Sequence, residues 1–109
     1  MNGAAPILVV RAKPKDGAAG NIRSWILRTH LTEAKRIPGV TDVTAGSSAA
    51  GTWYVLYTFT NAESLQKALG SPEAAYARGT WERWDDQLEE RVIEVWAPLV
   101  PSSIVVRYN

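Results

Sequence analysis

The side chains that could do chemistry in this sequence are few, and their types limit the reactions open to it. The 109 residues include one histidine, His30, and no cysteine. The lack of cysteine excludes disulfides, thiolate nucleophiles, zinc fingers and iron–sulfur clusters, and one imidazole excludes sites built from two histidines. These limits disfavour the usual zinc and iron sites, and we predict no metal ion in the site. Because the pKa of imidazole lies near neutrality, His30 is the first candidate for acid–base chemistry.

The residues around His30 predict that its side chain faces a sheet rather than water. At about 100° per residue, the apolar positions of this segment fall within an arc of about 180° with His30 near its middle; they are Ile22, Ile26, Leu27, Leu31, Ala34 and Ile37. One interpretation is a core histidine bonded to a backbone carbonyl. The other is a general acid–base at the floor of a cavity between sheet and helix. The spacing leaves both open.

The other candidate site residues lie on predicted strands and on the last helix. Tyr54 and Tyr57 fall on opposite faces of one strand, and whichever faces the cleft is expected to donate a hydrogen bond to a carbonyl or enolate oxygen. Trp81 and Trp84 belong either to the core or to an apolar wall for an aromatic ligand. Arg11 is expected to pair with Glu94 on a neighbouring strand, or else to bind a substrate carboxylate.

The elements that must position these residues follow the order β-α-β-β-α-β. Runs of β-branched and aromatic residues predict strands over 7–13, 40–45, 52–60 and 90–97. Helices are predicted over 22–37 with Asn21 as the N-cap, over 61–69 with Asn61 as the N-cap, and from Pro72 to about residue 88 with Ser71 as the N-cap. This order is typical of the ferredoxin-like α+β fold with an antiparallel sheet. We predict one domain over 1–109, with its core at about 7–99 and a C-terminal arm over 100–109.

Two of the predicted strands are apolar on both faces. Residues 53–59 place aromatic or aliphatic side chains on each side, and residues 91–97 do so in part. A sheet with helices on one side only should show a polar second face. We predict that a second copy of the chain covers this face in a homodimer. The alternative is that these are ordinary half-exposed aromatics.

Composition excludes several classes of partner. The formal net charge is +1 and no basic block occurs, which disfavours nucleic acid and anionic membranes. No apolar run approaches the roughly 20 residues that span a bilayer, and the N-terminal residues do not resemble a secretory signal. A cytoplasmic location is the expectation.

The segment from Arg28 to Val40, with His30 followed by Ile37-Pro38-Gly39, resembles the first helix and turn of EthD-type proteins. The aromatic strand after a glycine-rich hairpin and the Ser71-Pro72-Glu73 helix start match as well, so the resemblance covers roughly residues 7–99. EthD-type proteins often carry a tryptophan four positions before the histidine; here that position is Ile26, and Trp25 lies one residue earlier. The haem-degrading relatives use a histidine on a later helix, which this sequence lacks.

The resemblance implies a dimeric α+β barrel with a cleft in each subunit between sheet and helices. The function it favours is a cofactor-independent isomerase, dehydratase/lyase or cyclase acting on a small aromatic, lactone or polyketide-like molecule. His30 would be the acid–base, assisted by Tyr54 or Tyr57. The alternatives are a cofactor-free monooxygenase of an aromatic substrate, and a non-catalytic ligand-binding or accessory protein.

Overall fold

The fold is an antiparallel sheet with all of its helices on one side. It is seen in a computed structural model that describes residues 5–97. The strands are β1 (Ile7–Pro14), β2 (Val40–Ser47), β3 (Trp53–Phe59) and β4 (Leu88–Trp96), in the order β2-β3-β1-β4. The helices are α1 (Ala19–Trp25), α2 (Leu31–Ala34), α3 (Ala62–Leu69) and α4 (Pro72–Glu82). The predicted ferredoxin-like α+β fold is confirmed. The predicted arm over 100–109 lies outside the described residues.

The first helical stretch differs from the prediction at both ends and in the middle. It begins at Ala19 rather than 22, because a turn through Gly17 (φ 87°) already brings Ala18 into helical conformation, so Asn21 is not the N-cap. Between α1 and α2 the chain forms a π-helical segment, Ile26–His30, and the stretch ends at Ala34. The wider π turn changes which residues face the sheet, and Leu27, predicted to be buried, is 47% exposed.

The last helix is shorter than predicted. The N-cap prediction is confirmed, since the Ser71 side chain accepts a hydrogen bond from the Ala74 backbone N–H. However, α4 ends at Glu82 and a short 3₁₀ turn, Asp85–Gln87, follows. Leu88 is the first residue of β4, where it pairs with Pro14 of β1. Pairing of β4 along the whole of β1 therefore outweighs the helical periodicity of this segment.

The core lies between the inner face of the sheet and the helices. Strand register places Val10 of β1 beside Val55 of β3, and Leu8 beside Tyr57. The most deeply buried side chains join these two strands to the helices; they are Ala12, Ile22, Ile26, His30, Ala34, Val55, Phe59 and Ala68. His30 is thus held between layers, with no exposed surface.

None of the helices formed by residues 5–97 is long and apolar enough to cross a membrane.

The outer face of the sheet carries a cluster of half-buried or exposed apolar side chains that the helices do not cover. Val9 of β1 and Leu56 of β3 are register partners near its centre. Around them on the same face lie Ile7, Tyr54, Val92 and Trp96, and Trp96 is 61% exposed. An apolar surface of this kind is typical of a protein–protein interface. The homodimer remains a prediction that this surface supports.

Replacing Leu56 with aspartate is expected to separate the predicted homodimer into monomers, because it puts a charge at the centre of the apolar face. Light scattering after size exclusion should give twice the 12.0 kDa chain mass for the parent protein and one chain mass for Leu56→Asp. Leu27→Asp is the matched control, since Leu27 is exposed on the helical side. A parent protein with the mass of one chain would contradict the prediction.

Candidate functional site

An apolar cleft opens between the inner face of the sheet and the helices. Its lining comes from β1, β3, β4, α3, α4 and the turn after α2; the residues are Leu8, Val10, Ile37, Tyr57, Phe59, Ala68, Leu69, Ala74, Ala77, Arg78, Trp81 and Ile93. The cavity volume is about 80 Å³. This is small beside the roughly 300–1,000 Å³ of typical ligand sites. A bound molecule would therefore be compact or extend through the open side.

Two of the lining residues connect the cleft to His30. The Tyr57 hydroxyl is hydrogen-bonded to His30 Nε2. The Trp81 indole N–H points at both groups, with its Nε1 at 3.1 Å from His30 Nε2 and at 3.1 Å from Tyr57 Oη. Tyr57 and Trp81 are 3% and 2% exposed, so this network is shielded from water. Three chain segments far apart in sequence meet here.

The contacts in this network are all satisfied when His30 Nε2 carries no proton. An indole N–H can only donate, so its contact with Nε2 is a hydrogen bond only when Nε2 carries no proton. Tyr57 then donates its hydroxyl proton to Nε2 as well, and the neutral imidazole carries its proton on Nδ1. Among residues 5–97, no hydrogen-bond partner lies within reach of Nδ1.

Burial shifts both titrating groups toward their neutral forms. Loss of solvent lowers the pKa of His30 from 6.5 to about 4. Burial also raises the pKa of Tyr57 far above its ordinary value, against a smaller opposite effect of the hydrogen bond from Trp81. At neutral pH the resting site is therefore a neutral phenol donating to a neutral imidazole. Such a pair can pass a proton onward without first losing one to water.

Trp25 is a site residue that helical periodicity does not identify. Its ring stacks on His30, with centroids 4.7 Å apart and planes inclined by 29°, and it contacts Trp81 edge-on at 4.9 Å. In a regular α-helix, residues five apart lie on different faces. The π-helical segment joins Leu31 N–H to the Ile26 carbonyl five residues back, so Trp25 is brought onto the face of His30. The sequence feature that could have identified Trp25 is its place one residue before the position at which EthD-type proteins often carry a tryptophan.

The structure brings together only some of the predicted site residues. His30, Tyr57 and Trp81 meet at the cleft floor, as described above. Trp84 is half-buried against Trp25, at 5.7 Å between ring centroids, and does not line the cleft. Trp84 therefore packs against the aromatic cluster without contacting the cleft.

Tyr54 and Arg11 lie elsewhere. They are register partners on the outer face of the sheet, because Tyr54 is three residues before Tyr57 and strand side chains alternate. The expected Arg11–Glu94 pair does not form. Arg11 Nη2 instead lies 3.1 Å from a carboxylate oxygen of Glu90, also on β4. Neither Tyr54 nor Arg11 can contact a molecule held in the cleft.

Within the described chain, no group of three acidic or histidine side chains lies close enough together to hold a metal ion.

The fold is shared with solved structures of low sequence identity. An ethyl tert-butyl ether D (EthD) family protein from Bacillus halodurans superposes with a TM-score of 0.70 at 15% identity, covering 86% of this chain and 99% of its own. A mutant of SnoaB, a cofactor-independent oxygenase from Streptomyces nogalater, gives 0.69 at 15% identity over 92% and 98%. Rv0793 from Mycobacterium tuberculosis gives 0.70 at 20% identity over 92% and 100%. The predicted ferredoxin-like α+β fold, and its similarity to the fold of an EthD family protein, are confirmed. No protein-family model matches the sequence, and no curated protein matches it.

Proposed function

We propose, from a ferredoxin-like α+β fold with a buried histidine bonded to a residue of its cleft, that this protein is a cofactor-independent acid–base enzyme. Its substrate would be a small aromatic, lactone or polyketide-like molecule bound between sheet and helices. The observation that carries the proposal is the buried hydrogen bond between the Tyr57 hydroxyl and His30 Nε2, on the floor of an apolar cleft. Isomerisation, dehydration and cyclisation of such molecules all begin with the transfer of one proton.

The proton route follows from the hydrogen-bonding capacity of the Tyr57 hydroxyl. A hydroxyl has one donor and two acceptor positions. The Tyr57 hydroxyl donates its proton to His30 Nε2, and it accepts one hydrogen bond from the Trp81 indole N–H. The second acceptor position remains for a donor in the cleft. A substrate O–H or activated C–H would give its proton to Tyr57 Oη while Tyr57 passes its own proton to Nε2.

Burial also explains why the transferred proton would not stay on His30. A positively charged imidazole is disfavoured in this environment, since the pKa of His30 is lowered to about 4. The substrate anion beside it would stabilise the charge by Coulombic attraction for as long as it exists. The proton would then return to a different substrate atom in isomerisation, or leave with a hydroxyl as water in dehydration.

A second candidate is a cofactor-free monooxygenase, and the similarity to SnoaB favours it. The same deprotonation would produce a substrate carbanion that reacts with O₂. A ring CH₂ would become a carbonyl, and its two hydrogens would leave with the second oxygen atom as water. In this reaction O₂ is the oxidant and the source of the inserted oxygen. Tyr57 and His30 would keep their roles in removing the first proton.

Deuterium exchange tests the proton transfer without knowledge of the final product. Small unsaturated lactones and anthrones, which carry acidic C–H groups, would be incubated with the protein in D₂O under nitrogen. We expect faster deuterium incorporation, seen by mass spectrometry, than without protein. Repeating the incubation under air with an oxygen electrode separates the two enzymes, because only the monooxygenase consumes O₂. Binding without exchange or oxygen uptake would indicate a non-catalytic binding protein.

We also propose that the protein acts on this small molecule as a homodimer in the cytoplasm, and that it binds neither nucleic acid nor a membrane.

A further inference from the structure

Among the residues that the structure describes, one charged residue lines the cleft. Of the twelve lining residues, eleven are uncharged and Arg78 is the exception. Carboxylate side chains are absent from this set. The sequence offers one hint: Arg78 lies three residues before Trp81 on α4, which places both on neighbouring positions of one helix surface.

Arg78 is an exposed residue of the cleft lining, whereas Tyr57 is a buried one. Tyr57 and Trp81 are almost fully buried and form the floor, whereas Arg78 and Ile93 are exposed and mark the open side. A ligand in the cleft would have its inner end at the hydroxyl and its outer end beside the guanidinium. Apolar side chains line the path between these two polar groups.

No carboxylate of the described residues forms a salt bridge with the Arg78 guanidinium. Over residues 5–97, the salt bridges join Arg11 to Glu90, Lys67 to Glu63 and Arg91 to Asp85. Glu82 lies one turn after Arg78 on α4 but forms no salt bridge with it. The Arg78 donors are therefore available to a ligand.

We propose that Arg78 binds a carboxylate at the outer end of the substrate, so that the substrates are small aromatic or lactone carboxylic acids. A guanidinium stays charged at all relevant pH values and offers two parallel N–H donors that match a carboxylate. The carboxylate would anchor one end of the molecule while the reacting O–H or C–H meets Tyr57. This assignment rests on the proposed function and gives Arg78 the role that the sequence suggested for Arg11.

A matched pair of ligands tests the assignment by binding alone. The probes are 2-naphthoate and 2-naphthamide, which share a ring system and differ in charge, and quenching of tryptophan fluorescence reports their binding near Trp25 and Trp81. We expect the acid to bind roughly tenfold more tightly than the amide, with a difference that shrinks as salt is added. In Arg78→Gln this preference should disappear while the amide affinity stays unchanged.

Two further variants separate this proposal from the proposed function. Arg28→Gln removes the same charge from an exposed helical position outside the cleft and should keep the preference for the acid. Tyr57→Phe should also keep it, while losing deuterium exchange. If Arg78→Gln retains the preference, or if the parent protein binds neither probe or binds both equally, the assignment to Arg78 is wrong. If the preference behaves as expected but no exchange occurs, Arg78 is a carboxylate site and the acid–base proposal fails.

Discussion

Replacing Tyr57 with phenylalanine is expected to lower the rate of substrate deuterium exchange and of turnover by roughly 10²- to 10⁴-fold, the usual contribution of a positioned acid–base group. The change removes one oxygen atom and leaves the ring in the core. Without that oxygen, the substrate has no acceptor on the cleft floor and His30 Nε2 loses its link to the cleft. The effect should fall on kcat more than on ligand affinity, because the hydroxyl acts on the reacting atom.

The stability of Tyr57→Phe should change little. Trp81 still donates to His30 Nε2, so no group that was bonded at this nitrogen is left without a partner. One lost hydrogen bond costs about 1 kcal/mol in free energy of unfolding. Tyr76→Phe is the matched control, since Tyr76 is 56% exposed on α4 and does not line the cleft. Exchange at the parent rate in Tyr57→Phe would exclude Tyr57 from the proton route.

Acidification below pH 6.5 is expected to destabilise the protein through His30. The pKa of His30 is about 4 in the folded protein and about 6.5 when the chain is unfolded, so the unfolded state binds the extra proton between these values. This part of the stability is complete above pH 6.5 and is lost as the pH falls toward 4. By linkage, the loss between pH 7 and pH 5 amounts to about 2 kcal/mol in the free energy of unfolding.

Urea unfolding at pH 7 and pH 5, followed by tryptophan fluorescence, measures this loss. In His30→Gln, the part of the pH dependence that comes from His30 should be absent, whatever the stability of this variant at pH 7. Subtracting the pH dependence of the variant from that of the parent protein removes the contribution of carboxylates, which both proteins share. The parent protein offers an independent measurement, because it contains one histidine. Its ring proton NMR shifts should stay constant from pH 8 to about pH 5. A ring that titrates near pH 6.5 in the folded protein would contradict the buried, neutral state.

A bound anion should change the pKa of His30, on which both the proton route and the pH dependence of stability depend. A ligand anion beside the network would favour the charged imidazole and raise the pKa of His30 toward neutrality. The NMR titration repeated with 2-naphthoate would therefore show whether the ligand reaches the Tyr57–His30 pair or stays at the open end of the cleft.

Much of the architecture follows from the sequence because the local signals agree with one another. β-branched runs predict all four strands, and side-chain capping at Asn61 and Ser71 correctly predicts where α3 and α4 begin. These features depend on backbone propensity and on bonds within a few residues. The inward direction of His30 also follows from local periodicity. The limits on chemistry follow from composition alone, since one histidine and no cysteine are countable facts.

The partners of His30 were decided by tertiary structure. Period-two alternation shows that Tyr54 and Tyr57 lie on opposite faces of β3, but both faces are apolar, so the sequence could not say which one meets the helices. Likewise, Trp25 reaches His30 only through a π-helical turn, which no spacing of apolar residues predicts. Strand register also decided the position of Arg11, which it pairs with Tyr54 on the outer face of the sheet, away from the cleft. Local sequence thus determined the strands and helices and the types of side chain available for chemistry. Packing between distant segments determined which side chains share a site, because such contacts depend on how the sheet and the helices face one another.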